Sequence, residues 1–401
     1  MVLAMSTRPE AQERRRSAEG PVLFRRGFRP FFLGAGVWAL LAMAIWLAAL
    51  SGAMTLPSAM DPIAWHVHEM LFGTIVAAIA GFLLTAIPNW TGRLPIQGGP
   101  LAALAGCWLA GRLAMLVSEP LGAGPAAVLD LAFLSCLLLV VLREILAGRN
   151  WRNLPMPAAL AVLLTANLLT HLQALGLAET GALGQRLGMA AVLLLISLIG
   201  GRIVPSFTGN WLKKQDPRGP LPSPFGRFDR LVLVASLAGL IAWVAAPESL
   251  PAGLLLTLAG LFAAARLARW QGLRTLGEPL LWSLHLGMAW LALGLALTGL
   301  GVLWPEVLPR TAGIHALTAG AMGGMILAVM TRATLGHSGR ALTADRPTML
   351  LYLLVSLAAA LRVLAAFAED LALPLYGAAA LAWMAAFALF VWCYGRLHLS
   401  R

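Results

Sequence analysis

The segment AWHVHEMLFGTIVAAIAGFLLTAIP, residues 64–88, decides how the whole chain is read. Beyond Glu69 it carries no charged side chain. A helix rising ~1.5 Å per residue makes it long enough to cross a hydrocarbon core of about 30 Å. Backbone polar groups find no water inside lipid, so a run of this kind folds as a helix. Comparable runs recur along the chain, at 30–52, 64–88, 99–118, 124–146, 155–177, 182–208, 228–246, 251–270, 278–301, 310–334, 347–368 and 371–396. Of the 401 residues 60% are hydrophobic and 11% charged, which excludes an ordinary soluble enzyme. The expectation is an all-α, polytopic membrane protein with about twelve transmembrane helices.

No linker is long enough for a soluble domain. The chain divides into a basic N-terminal tail (1–29), helices 1–6 (30–208), a basic loop (209–227), and helices 7–12 with a short C-terminal tail (228–401). The net charge of +12 comes from 29 Lys+Arg against 17 Asp+Glu. These residues sit in short loops, where they set topology and meet anionic lipid, so no nucleic-acid partner is expected. Arg112, Arg202 and Arg362 fall inside helices, and the loops of one side hold only Arg186 and Arg310. The other basic residues all lie on the opposite side with both termini, which places the termini in the cytoplasm. The first 29 residues carry seven Arg and no apolar core, and so read as a tail before a signal-anchor helix. Cys107, Cys136 and Cys393 lie in apolar runs, with no C-x-x-C and no covalent haem motif.

Helices 2, 6 and 10 close in similar ways, with Gly81…Pro88-Asn-Trp90-Thr-Gly92, Gly200-Gly-Arg202…Pro205…Trp211 and Gly323-Gly…Thr331-Arg332…Gly336. Their spacing suggests a repeat of four helices.

Ionisable groups in a membrane are costly and need a partner or a task. His66, His68, Glu69, His171 and His315 fall in the outer third of their helices, as do Arg112, Asp130 and Arg362. His66 and His68 point about 200° apart on a regular helix, so one ion cannot take both. His66, Glu69 and Met70 are expected on one face, and His68 with Phe72 on the other. Imidazole and thioether suit copper, and neutral imidazole suits haem iron. Competing readings are interfacial histidines beside a tryptophan belt, a hydrogen-bonded pair of Asn167 with His171, and a satisfied core residue at His285. Arg112 and Arg362 read equally well as partners of haem propionates or as internal ion pairs, Arg112 with Asp130.

The stretches Leu23-Phe-Arg-Arg-Gly-Phe-Arg29-Pro-Phe-Phe32, Trp65-His-Val-His-Glu-Met-Leu-Phe-Gly73, Gly81–Gly92, Gly111-Arg112, Gly201–Thr208 and His315–His337 resemble, in order, those of the NnrS family. That resemblance implies a haem- and copper-containing protein of the bacterial inner membrane that protects against nitric oxide, with His66, His68, Glu69 and His315 at positions that matter. The expected cofactors are haem b and copper.

The first functional expectation is a protein that handles nitric oxide, acting as an oxidoreductase if it reduces two nitric oxide molecules with two electrons from an unknown donor. In that reading His68 and His315 hold haem with Arg112 and Arg362 at its propionates, His66 with His171 or Met70 offers a copper site, and Glu69 carries protons. Alternatives are a transporter, or a haem or copper assembly or sensor protein without turnover. Electron donor and oligomeric state leave no mark in the sequence.

Overall fold

The computed structural model describes residues 20–400, which form helices and turns with no strand among them. Residues 1–19 of the expected basic tail, and Arg401, lie outside the described residues. Twelve helices are long and apolar enough to cross a membrane: α1 Phe28–Leu50, α2 Pro62–Thr91, α3 Gly99–Leu116, α4 Ala123–Ala147, α5 Trp151–Ala174, α6 Leu183–Gln215, α7 Arg227–Ala245, α8 Leu250–Ala268, α9 Pro279–Leu303, α10 Arg310–His337, α11 Arg346–Leu364 and α12 Glu369–Leu399. The chain is a multi-pass membrane protein. Each expected span falls on one of these helices. The largest departure is α6, which runs on to Gln215 with Lys213 and Lys214 in its last turn. Hydropathy marks where lipid contact ends, and helical hydrogen bonding continues past that point.

Local chemistry starts several helices. Asp61 accepts from the backbone N–H of Ile63 at 2.9 Å and of Ala64 at 3.0 Å, and Pro62 takes the first helical position, where no N–H is needed. Asp345 caps α11 in the same manner through the N–H of Thr348 at 2.9 Å.

Three helices are enclosed by the rest. In α2, α6 and α10 the apolar stretches are 72%, 67% and 61% buried, against 33–50% elsewhere. Helices α1, α3 and α4 pack against α2, α5 joins α4 to α6, α7 and α9 pack against α6 with α8 between them, α9 and α11 pack against α10, and α11 and α12 close the ring back to α1. Odd-numbered helices end, and even-numbered helices begin, at one face of the bundle, called here the upper face.

Both α2 and α10 change register just below that face. Their upper turns, through His68 and His315, are α-helical; Glu69–Ile75 and Ala316–Gly323 are π-helical; the remainder is α-helical again. A π turn widens the helix and leaves backbone groups to find other partners. In α2 the Gly73 carbonyl accepts from Trp108 Nε1 at 3.0 Å.

Candidate cofactor cavity and buried ion network

The π segment of α2 begins between two sites. On one side lies a cavity of about 710 Å³, walled largely by apolar side chains from α1, α2, α6, α7, α9, α10, α11 and α12. On the other lies a network of charged groups shut off from solvent.

His66 and His315 both line the cavity, with Met70, Arg186, Arg310 and Arg362. The His66 ring stacks on Trp46, centroids 4.2 Å apart and planes 26° apart, and its Nδ1 is buried without a hydrogen-bond partner. His315 Nδ1 lies 2.7 Å from the Thr311 carbonyl, and its Nε2 lies 2.9 Å from an Arg362 guanidinium nitrogen. Arginine only donates and a carbonyl only accepts. His315 is therefore neutral, with its proton on Nδ1 and its lone pair on Nε2. The Arg362 guanidinium also lies 4.0 Å from the centre of the Tyr376 ring.

The network joins α2, α3, α4 and α5 through Glu69, His68, Arg112, Asp130, Asn167 and His171. Arg112 donates to Glu69 Oε2 at 2.6 Å and, through its other terminal nitrogen, to Asp130 Oδ1. His68 Nδ1 lies 2.8 Å from Glu69 Oε1, and His68 Nε2 lies 3.2 Å from Asp130 Oδ2 and 3.0 Å from Asn167 Oδ1. Asn167 Nδ2 donates to Asp130 Oδ2 at 2.7 Å, His171 Nε2 lies 2.9 Å from the same oxygen, and Trp38 Nε1 donates to Glu69 Oε2 at 2.7 Å. Two carboxylates thus share one guanidinium. His68 reaches both of them, one with each ring nitrogen.

Ligand atoms of His68, Asp130 and His171 lie within 4.8 Å of one another, so the cluster has the composition of a metal site. Those atoms already face one another, and Arg112 sits on Asp130. A cation would have to replace these contacts.

The structure brings together different histidines from those paired in the sequence analysis. His68 does not meet His315, and His66 does not meet His171. His66 shares the cavity with His315 and Met70, while His68 shares the network with His171, because rings two residues apart take opposite sides of α2. Arg362 lies on the cavity wall, whereas Arg112 is ion-paired with Asp130 and Glu69. Glu69 does not share the face of His66 and Met70, contrary to the expectation from a regular helix. Its carboxylate turns to His68, where Arg112 and Trp38 donate to it. His285 pairs through Nε2 with Thr208 at 2.9 Å.

Several residues here gave no signal in the sequence. Trp38 and Trp46 are two of 14 tryptophans, and nothing marks them as partners of Glu69 and His66. Arg186 registered only as a loop charge, yet it lines the cavity. A second buried ion pair, Arg266 Nε to Asp229 Oδ1 at 2.8 Å, was not anticipated.

The family model described as NnrS protein matches residues 22–401. No curated protein matches the chain.

Proposed function

The chain belongs to the NnrS family, and from that premise we propose that it is a nitric-oxide-response membrane protein that holds a haem b in the upper cavity. The observation carrying this reading is the donor set. Two imidazoles from separate helices face one apolar cavity of about 710 Å³, one with an unpartnered ring nitrogen and the other with its lone pair fixed on Nε2. A cavity of this size and apolar character suits a macrocycle, and neutral imidazole suits haem iron.

His315 is the iron ligand in this reading. Its Nδ1–H is held by the Thr311 carbonyl, the second contact that fixes ring orientation in metal-ligating histidines. His66 has no such contact; braced by Trp46 in the cavity wall, it would offer a polar group to nitric oxide bound there. A haem held there supplies an iron that binds nitric oxide. The apolar wall excludes water from that position, and His66 presents the polar group beside it. The His68–Asp130–His171 cluster fits a resident copper poorly, since Arg112 already neutralises Asp130. We assign it to holding α2 in place against α3, α4 and α5.

The test is the absorption spectrum of the full-length protein purified in lipid nanodiscs. Wild type is expected to show a Soret band that shifts with nitric oxide after reduction. His315→Gly is expected to lose the band and regain it with added imidazole. His66→Ala keeps haem and changes the nitric oxide complex. A wild-type protein without a Soret band, or an unchanged band in His315→Gly, ends this reading.

A further inference from the structure

The cavity wall is unbalanced in charge. It carries the guanidinium groups of Arg186, Arg310 and Arg362, and the acid lining it among the described residues is Glu248. Glu248 is already used, since Arg310 donates to its Oε1 at 2.6 Å in an exposed pair. Arg186 and Arg362 remain. Arg362 has a neutral imidazole and the Tyr376 ring as partners. Arg186 has no ion pair among the described residues, and its Nε is buried without a hydrogen bond. Unpaired cations beside an apolar cavity at membrane depth are costly, and the cost is relieved by an anion brought with the occupant.

We propose that this cavity is built for an apolar occupant bearing two carboxylates, and that Arg186 and Arg362 each bind one of them. The inference rests on the haem reading above and extends it to Arg186. The two arginines lie on different helices, α6 and α11, so the carboxylates are held from separate parts of the bundle. Guanidinium is suited to the task, because its planar fork donates two parallel hydrogen bonds to a carboxylate. Arg362 has a second role. While it donates to His315 Nε2 it covers the lone pair that a metal requires. A carboxylate competes for the same guanidinium and leaves Nε2 free, so binding of the acid group and ligation by His315 favour each other.

The experiment compares ferric haem with its dimethyl ester, which keeps iron and macrocycle but has no carboxylate. Each is titrated into full-length protein made in haem-deficient cells and placed in phosphatidylcholine nanodiscs, with affinity read from the Soret band. Wild type is expected to bind the diacid at least tenfold more tightly than the ester. Arg186→Gln lowers that ratio several-fold, Arg186→Lys restores part of it, and ester affinity stays near wild type in both. Equal affinities for acid and ester, or a ratio unmoved by Arg186→Gln, overturn the proposal and leave the haem reading standing. If wild type binds neither form, the haem reading itself falls. Cardiolipin, a dianionic lipid, offers the same acid chemistry from the bilayer. Adding it to the nanodiscs is expected to leave the ratio unchanged. Loss of the ratio would assign the arginines to lipid headgroups and overturn the proposal.

Discussion

His66 and His68 stand on opposite sides of one helix and belong to different chemical worlds. His66 stacks on Trp46 at the wall of the cavity, and His68 meets the edge of His171 with ring centroids 5.2 Å apart inside the ion network. The two-residue step assigns one imidazole to the cavity wall and the other to the protein's own charges.

The network is expected to behave as a unit. Arg112→Met leaves Glu69 and Asp130 buried with no guanidinium between them, a loss of about 3–5 kcal/mol. Asp130→Asn alone also destabilises, but costs much less when Arg112 is already Met. A double-mutant cycle of thermal unfolding in detergent measures this, and simple additivity would refute the coupling.

Gly73 is required by close approach. A Cβ there would lie 2.7 Å from the Arg112 guanidinium and 2.8 Å from Trp38 Nε1. Gly73→Ala is therefore expected to lower stability by about 1–3 kcal/mol. Gly106→Ala, on an exposed helix face with nothing within 4 Å, is expected to be neutral or to stabilise by roughly 0.5–1 kcal/mol. Melting temperatures of the two variants distinguish local crowding from a general intolerance of larger residues.

Trp46→Leu removes the ring that braces His66 and leaves His315 untouched. Stacked aromatic pairs contribute about 0.5–1.5 kcal/mol beyond burial. Haem content should stay at the wild-type level while the nitric oxide dissociation rate rises by roughly 2- to 12-fold. Stopped-flow trapping of released nitric oxide reads the rate, and an unchanged value would detach His66 from the gas.

The Glu248 carboxyl lies below its ordinary range because Arg310 hydrogen-bonds it and adds a nearby positive charge. A lowered folded value means that the pair's stabilisation is complete above the ordinary carboxylate value and is lost as pH falls through the lowered one. The pair is exposed, so the effect is small and screened by salt. Glu248→Gln is expected to lower the melting temperature slightly at neutral pH and low salt and to match wild type in acid, where the pair is already lost.

The spans were legible because lipid demands long apolar helices. The opposed directions of His66 and His68 were legible too, from 3.6 residues per turn. Their partners were not. Which helix faces α2 on each side depends on packing among twelve segments of similar composition, and one sequence does not encode that order locally. Glu69 was misplaced for a related reason. Its register changes to π at that residue, and donors from α1 and α3 draw its carboxylate round to His68. Arg186 escaped notice because a cation near a helix start looks like a topology signal until the cavity is seen.

The wide turns at Glu69–Ile75 and Ala316–Gly323 bear on any attempt to shorten or splice these helices. Each accommodates a surplus residue without twisting what lies beneath it. Excising that surplus residue restores ordinary winding and leaves Val76–Thr91 or Gly324–His337 facing as before, whereas deleting one residue from the α-helical turns above swings the segment by about 100°. The lower faces of α2 and α10 would then present the wrong side chains to α1 and α4, and to α9, α11 and α12, although no contact above the cut had been touched. Chimeras of this bundle need their junctions above or below those turns, with residues counted separately on each side.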